Sequence, residues 1–92
     1  MRVDGGTIIF HSEDRYYNKE LYGRKPNTVR HITDPVELKA FAEWEAKPYR
    51  YIKIIASGGR RNFERKVTDV SHFDIGVYNL VIISWEPVKL EE

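Results

Sequence analysis

Short runs of β-branched and aromatic residues, separated by polar and turn-forming stretches, predict a protein built mainly from strands. The predicted strands are Thr7–His11, Asn27–Ile32, Tyr49–Ala56, Asn62–Val70 and Val77–Trp85. Gly58 and Gly59 favour a tight turn between the third strand and the fourth, because glycine readily takes the positive φ angles of hairpin turns. The last strand is the most apolar, so we expect Ile82 and Ile83 to be buried on its opposite faces.

Two segments are predicted to be helices, and a third is typical of a turn or a short helix. The first runs from Glu13 to Tyr22, between Ser12, which can cap its start, and Gly23, which can end it in the left-handed conformation. Between the fourth and last strands, Asp69–Gly76 is typical of a turn or a short helix capped by Ser71.

The second helix, over Val36–Ala46, has the clearest start in the chain. Thr33 or Asp34 can cap it, and Pro35 suits the first helical position. Pro48 ends it. Helical spacing brings a set of apolar residues to one side, where they can pack on a sheet: Val36, Ala40, Phe41 and Trp44.

These elements fit one α+β domain over residues 1–92, with a mostly antiparallel curved sheet or a partly closed barrel and two helices. Hydrophobic residues at 41% and charged residues at 32% are ordinary for a soluble globular protein and exclude a disordered chain. The absence of cysteine fits a reducing compartment, and we expect a cytoplasmic location. No apolar run is long enough for a signal peptide or a membrane span, so we expect no membrane partner.

The formal net charge is only +1, so an anionic partner must meet a local patch of cations. The segment from Gly23 to Arg30 is one such place, because Arg24, Lys25 and Arg30 lie within it. Pro26 keeps Lys25 extended, since the residue before proline is pushed out of the helical region. The segment therefore turns at Gly23 and continues as a strand.

Gly23, Lys25, Thr28 and Arg30 follow the spacing Gly-x-Lys-x-x-Thr-x-Arg. This spacing resembles the signature of the ASCH domains, small members of the PUA-like superfamily, and the resemblance covers roughly residues 6–32. In those domains the motif lies between an early helix and a strand of a compact β-barrel. The resemblance implies a PUA-like fold and an RNA or nucleotide ligand in a cleft beside residues 23–30.

Some bacterial ASCH-like enzymes are amidohydrolases that remove the acetyl group from N4-acetylcytidine, and they are similar to this chain at two positions. The likeness implies Lys25 as the base and Thr28 as the nucleophile, since a hydroxyl needs a base to become reactive. A carboxylate completes the site in those enzymes, and Glu64 could reach it here from its strand. In the alternative interpretation, Lys25 is a solvated turn residue and Thr28 is an ordinary strand residue.

The cations fall into two groups, one around the motif and one after the Gly-Gly turn. The second group is Arg60, Arg61, Arg65 and Lys66. Both could face one cleft with aromatic rings for stacking, as single-stranded nucleic acid requires, from Tyr16, Tyr17, Tyr22 and Phe63. Neighbouring acids could instead neutralise them: Glu13, Asp14, Glu20 and Glu64.

The ASCH resemblance, more than the residues themselves, implies an RNA- or nucleotide-binding domain, with an expected binding set of Tyr16, Arg24, Lys25, Thr28, Arg30, Arg60 and Arg61. The first alternative is an amidohydrolase acting on an N4-acylated cytidine-type nucleoside through Lys25, Thr28 and Glu64. The second alternative is a small protein-interaction or inhibitor protein of a mobile element, for which an exposed apolar patch around Trp85 or the tyrosines would be evidence. The histidines have no metal-ligand spacing, so we expect neither a metal nor another cofactor.

Overall fold

One mixed sheet of six strands carries the fold. The computed structural model describes residues 1–13, 17, 21 and 26–86. In chain order the strands are β1 (Arg2–Asp4), β2 (Thr7–Ser12), β3 (Asn27–Ile32), β4 (Tyr51–Ala56), β5 (Asn62–Asp74) and β6 (Asn79–Trp85). The helix α1 (Pro35–Glu45) lies between β3 and β4 in the sequence.

The strand order is β1-β2-β4-β5-β6-β3, so the sheet begins with the two N-terminal strands and ends on β3. Each neighbouring pair is antiparallel except β2 and β4, which run parallel with Thr7 opposite Tyr51 and Ser12 opposite Ala56. The sheet curls into a half-barrel, which confirms a small α+β fold with a curved, mostly antiparallel sheet.

The long strand β5 explains much of the curl. Its first part, Asn62–Lys66, pairs with β4, and its second part, from Val67 to Asp74, pairs with β6. The register shifts between Val67 and Asp69. Such a bulge bends a strand and increases its twist, so one strand can belong to both halves of a curved sheet.

The concave face of the half-barrel holds the core. Alternate residues of β2, β4 and β6 point into it, as the period-two pattern predicts for strands with one buried face. Ile83 is fully buried there, whereas Ile82 points to the convex face and is half-buried. The prediction that these two residues lie on opposite faces is therefore confirmed, with Ile82 less covered than expected.

The helix α1 contributes two fully buried side chains to this core, Phe41 and Trp44. The Trp44 indole N–H donates a hydrogen bond of 2.9 Å to the Gly6 carbonyl, which ties the helix to the start of β2. A side chain at Gly6 would not fit without movement, because its Cβ would lie 3.2 Å from the Tyr49 carbonyl oxygen.

The start of α1 follows the sequence signals. Asp34 is the N-cap, since its Oδ1 accepts a hydrogen bond of 2.9 Å from the Val36 amide, and Pro35 takes the first position. The prediction that Val36 belongs to the buried side is wrong, because its side chain is 76% exposed. The burial comes from Phe41 and Trp44, and Leu38 packs against the same core.

Other elements differ from the predicted ones. β1 was missed because its three residues contain a single apolar side chain, too few for an alternating pattern. The turn or short helix expected over Asp69–Gly76 is wrong, since β5 continues to Asp74 with polar side chains facing solvent. The last strand begins at Asn79 rather than Val77, and the third begins at Tyr51 rather than Tyr49.

Most of the predicted first helix lies outside the described residues. Tyr17, which is described, is buried, and its amide donates a hydrogen bond of 2.8 Å to the Glu13 carbonyl. In the described part of the chain, no helix has the length and apolar composition needed to cross a membrane.

Candidate functional site

Arg30 makes the densest set of polar contacts in the predicted motif. Its Nε donates to Thr28 Oγ1 at 2.8 Å, and its Nη2 donates to Ser12 Oγ at 2.7 Å. Its Nη1 donates to the His11 carbonyl at 2.9 Å. The rigid fork of a guanidinium suits several acceptors at once. Arg30 thus joins β3 to β2, which are not neighbours in the sheet order.

The position of these contacts shows what Arg30 does for the fold. β1 pairs with β2 only as far as Ile9, so the final residues of β2 lack a strand neighbour on that side. The Arg30 guanidinium supplies donors there and also lies 4.8 Å from the centre of the Phe10 ring. It therefore holds the two sides of the half-barrel together at the end of β2.

Thr28 belongs to this closure. Its side chain is 2% exposed, and its hydroxyl accepts the Arg30 hydrogen bond. Glu64 lies on the convex face of the sheet, where its Oε1 accepts a hydrogen bond of 3.0 Å from Thr7 Oγ1. The structure therefore separates the expected nucleophile from the expected carboxylate by the thickness of the sheet. Lys25 lies outside the described residues.

The aromatic residues near the motif form part of the core. Tyr17 packs on Phe63 with ring centres 5.4 Å apart, and Phe63 packs on Trp85 at 6.0 Å. All three side chains are at most 5% exposed, so the expectation that Tyr17 and Phe63 present stacking surfaces for bases is wrong. Arg61 covers Tyr17 and Arg65 covers Phe63, each with its guanidinium about 5 Å from the ring centre.

Trp85 also meets the chain just after the basic segment, because its amide donates a hydrogen bond of 3.0 Å to the Pro26 carbonyl. Its indole Nε1 is buried and has no hydrogen-bond partner among the described residues. The other predicted motif residues before Pro26, Arg24 and Tyr16, lie outside the described part of the chain.

The predicted hairpin is present and carries exposed cations. Gly59 has a φ of +75°, which favours glycine, and the turn presents Arg60 and Arg61 to solvent between β4 and β5. The structure therefore divides the second predicted cation group: Arg61 and Arg65 lie over rings of the core, whereas Lys66 lies on the convex face and Arg60 at the hairpin tip.

Tyr51 and Lys53 on that convex face were not among the predicted binding residues, whereas Lys66 belongs to the second predicted cation group. Tyr51 and Lys53 alternate outward along β4, and Lys66 lies directly opposite Tyr51 on β5. Tyr51 is 40% exposed, so its ring is available to a ligand. The signal was present in the sequence: residues two apart on a strand share a face, and the hairpin register brings Lys66 beside them.

A groove of about 450 Å³ opens on this face, lined by Thr7, Tyr51, Glu64, Arg65 and Lys66. Its walls combine an aromatic ring, a carboxylate and cations. Arg65 is engaged at its edge, since its Nη1 donates to the Glu64 carbonyl at 2.8 Å.

In the described part of the chain, neither Lys53 nor Lys66 forms a salt bridge with Glu64, although Glu64 lies directly opposite Lys53 on this face. Within the described residues, a salt bridge forms only between the Met1 amino group and Glu37, at 3.7 Å. Arg2, Lys53, Arg60 and Lys66 form no salt bridge there. We call these four residues together with Tyr51 the cationic sheet face.

The rest of the convex surface has a different character. Val29 on β3 and Phe73 on β5 are about half exposed, and Val77 in the β5–β6 connection is 85% exposed. The interaction-protein alternative predicted a patch around Trp85 or the tyrosines; Trp85 is buried, and Tyr78 directly follows Val77 in the chain. Among the described residues, no three His, Asp or Glu side chains gather closely enough to hold a metal ion.

Comparison of the chain with models of protein families, with curated proteins and with solved structures gives no match. Membership of the ASCH domains therefore stays a prediction that depends on the motif.

Proposed function

We propose that this protein binds single-stranded RNA or a nucleotide on the cationic sheet face and the adjoining Arg60–Arg61 hairpin. The observation that carries the proposal is the exposed Tyr51 ring flanked by Lys53 and Lys66, neither of which forms a salt bridge in the described chain. A sheet surface with an exposed aromatic ring among cations matches what a flexible anionic strand of bases requires.

The spacing of the side chains supports RNA binding on this face. Tyr51 and Lys53 are about 7 Å apart along β4, and Lys66 is about 5 Å from Tyr51 across the sheet. A base stacked on Tyr51 would therefore have cations on two sides for its flanking phosphates. Arg60, exposed at the hairpin tip, extends the same charge to the end of the sheet.

The proposal keeps the ASCH-like, PUA-like interpretation of the domain, in which Arg24 and Lys25 are further phosphate contacts. It changes the expected roles of Thr28 and Arg30, whose mutual hydrogen bond stabilises the half-barrel. Catalysis by Thr28 is not proposed, because its hydroxyl is buried against a guanidinium and Glu64 lies on the other face.

A protein partner is the second candidate, and the apolar patch of Val29, Phe73 and Val77 favours it. This patch is separate from the cationic sheet face, so the two candidates predict different surfaces. A test of RNA binding distinguishes them.

The double variant Lys53→Gln/Arg60→Gln should bind a labelled single-stranded RNA 12-mer more weakly and with a flatter salt dependence than the unchanged protein. Each lost phosphate contact reduces the slope of log K against log salt by about 0.7, so two contacts reduce it by about 1.4. Fluorescence anisotropy over a series of salt concentrations measures both quantities.

The matched control is Lys39→Gln/Lys47→Gln, which removes the same charge from exposed positions on and just after α1. We expect its salt slope to stay close to that of the unchanged protein. Equal slopes for the two double variants would contradict the proposed surface. No RNA binding at low salt would reject the proposal and leave a protein partner as the better-supported role.

A further inference from the structure

We propose that the groove beside Tyr51 selects a guanine base, with Glu64 as the residue that reads it. This inference rests on the proposed function and names its base specificity. The groove volume of about 450 Å³ lies in the range of about 300–1,000 Å³ that is usual for small-ligand sites. It is therefore large enough for a nucleobase with its sugar.

The Glu64 carboxylate accepts one hydrogen bond within the protein and can still accept others from a ligand. Thr7 Oγ1 donates to Oε1 at 3.0 Å across β4, which restricts the side chain. The other oxygen, Oε2, has no hydrogen-bond donor among the described residues. A carboxylate accepts through both oxygens and has lone pairs beyond the one used by Thr7. Glu64 thus presents two carboxylate oxygens at the wall of the groove, one of which also accepts from Thr7.

Guanine is the base whose pairing edge matches that pair. It presents two adjacent donors, the ring N1–H and the exocyclic N2 amino group. Adenine and cytosine each place an acceptor beside their amino donor, and uracil has a single ring donor between two carbonyls. A carboxylate facing any of these three would meet a repelling acceptor. In single-stranded RNA this edge is free to be read.

The remaining groups of the groove fit the same ligand. Tyr51 offers a ring face on which the base can stack. Lys66, opposite Tyr51 on β5, can reach the phosphate of the same nucleotide. The base, its pairing edge and its phosphate would each meet a different residue type.

The experiment compares two RNA heptamers, a uridine heptamer with one central guanosine and the same heptamer with inosine in its place. Inosine lacks only the N2 amino group. The unchanged protein should bind the guanosine heptamer about tenfold more tightly, the usual effect of one hydrogen bond to a charged group. Glu64→Gln should reduce this ratio to near one, since an amide offers a single acceptor oxygen. Tyr51→Ala should weaken both heptamers alike.

Glu43→Gln, an exposed change on α1, is the matched control and should keep the ratio. Binding of both heptamers by the unchanged protein with equal affinity would overturn the guanine site while leaving RNA binding intact. Absence of binding to both would overturn the proposed function as well. Guanosine monophosphate and inosine monophosphate provide the second arm. The same ratio for these free nucleotides would support guanine recognition without an RNA chain.

Discussion

Replacing Ile83 with alanine is expected to lower the free energy of unfolding by about 2–5 kcal/mol, because it leaves a cavity in a packed core. Ile83 is fully buried on β6, which has a strand on each side. It lies between Thr28 of β3 and Val70 of β5. The neighbours are fixed in the sheet ladder, so they can collapse only partly into the space.

Ile82→Ala removes the same atoms from the next residue and is the matched control. Ile82 faces the convex side and is half-buried, so we expect a loss of roughly 1 kcal/mol, as for partial exposure of an aliphatic side chain. Urea unfolding followed by circular dichroism gives both values. Equal losses for the two variants would contradict the assignment of the concave face as the core.

Replacing Arg30 with methionine should cost about 2–4 kcal/mol of stability, since hydrogen bonds to a charged group are worth about 1.5–3 kcal/mol each and are not additive. Methionine keeps an unbranched apolar stem over Phe10 and removes the three donors to Thr28, Ser12 and the His11 carbonyl. The loss should be accompanied by faster amide hydrogen exchange in β3, because this edge strand loses its link to β2.

Two further variants isolate the contribution of the planar Arg30 guanidinium group. Arg30→Lys keeps the charge but lacks the planar set of donors, so its stability should fall between those of methionine and the unchanged protein. Arg50→Met is the control, because Arg50 makes one long hydrogen bond of 3.4 Å, to the Glu45 carbonyl. A loss for Arg30→Met no larger than that for Arg50→Met would show that the closure contributes little.

The elements that the sequence predicted well are those with a strong local signal. Asp34 and Pro35 define the start of α1 through a side-chain cap and a fixed φ, and both effects act within a few residues. β3 has the predicted bounds, and β4 lies within the predicted segment, because short β-branched runs favour the extended backbone wherever they occur.

Features that depend on distant residues could not be predicted in this way. The parallel pairing of β2 with β4 brings together segments about forty residues apart, and no local pattern encodes it. The bulge near Thr68 likewise allowed β5 to run through a segment whose polar residues are typical of a turn. These are cases in which tertiary pairing overrides local preference.

In the candidate site, too, local features were predicted and features that depend on the fold were not. The Gly-Gly turn correctly indicated an exposed hairpin with Arg60 and Arg61 at its tip. Tyr17 and Phe63 have polar and charged neighbours in the sequence, which suggested that their rings lie on the surface. Both rings are buried, because the curled sheet encloses them. Tyr51 was overlooked because its strand appeared buried on both faces, whereas its outward residues form the cationic sheet face.

A titration of isotope-labelled protein with single-stranded RNA, followed through backbone amide chemical shifts, shows whether RNA binds on the cationic sheet face. We expect the largest changes at Tyr51, Lys53 and Lys66, the next largest at Arg60, and little change at Lys39 on α1. If the largest changes occurred at Val29 and Phe73, or along α1, they would contradict RNA binding on the cationic sheet face.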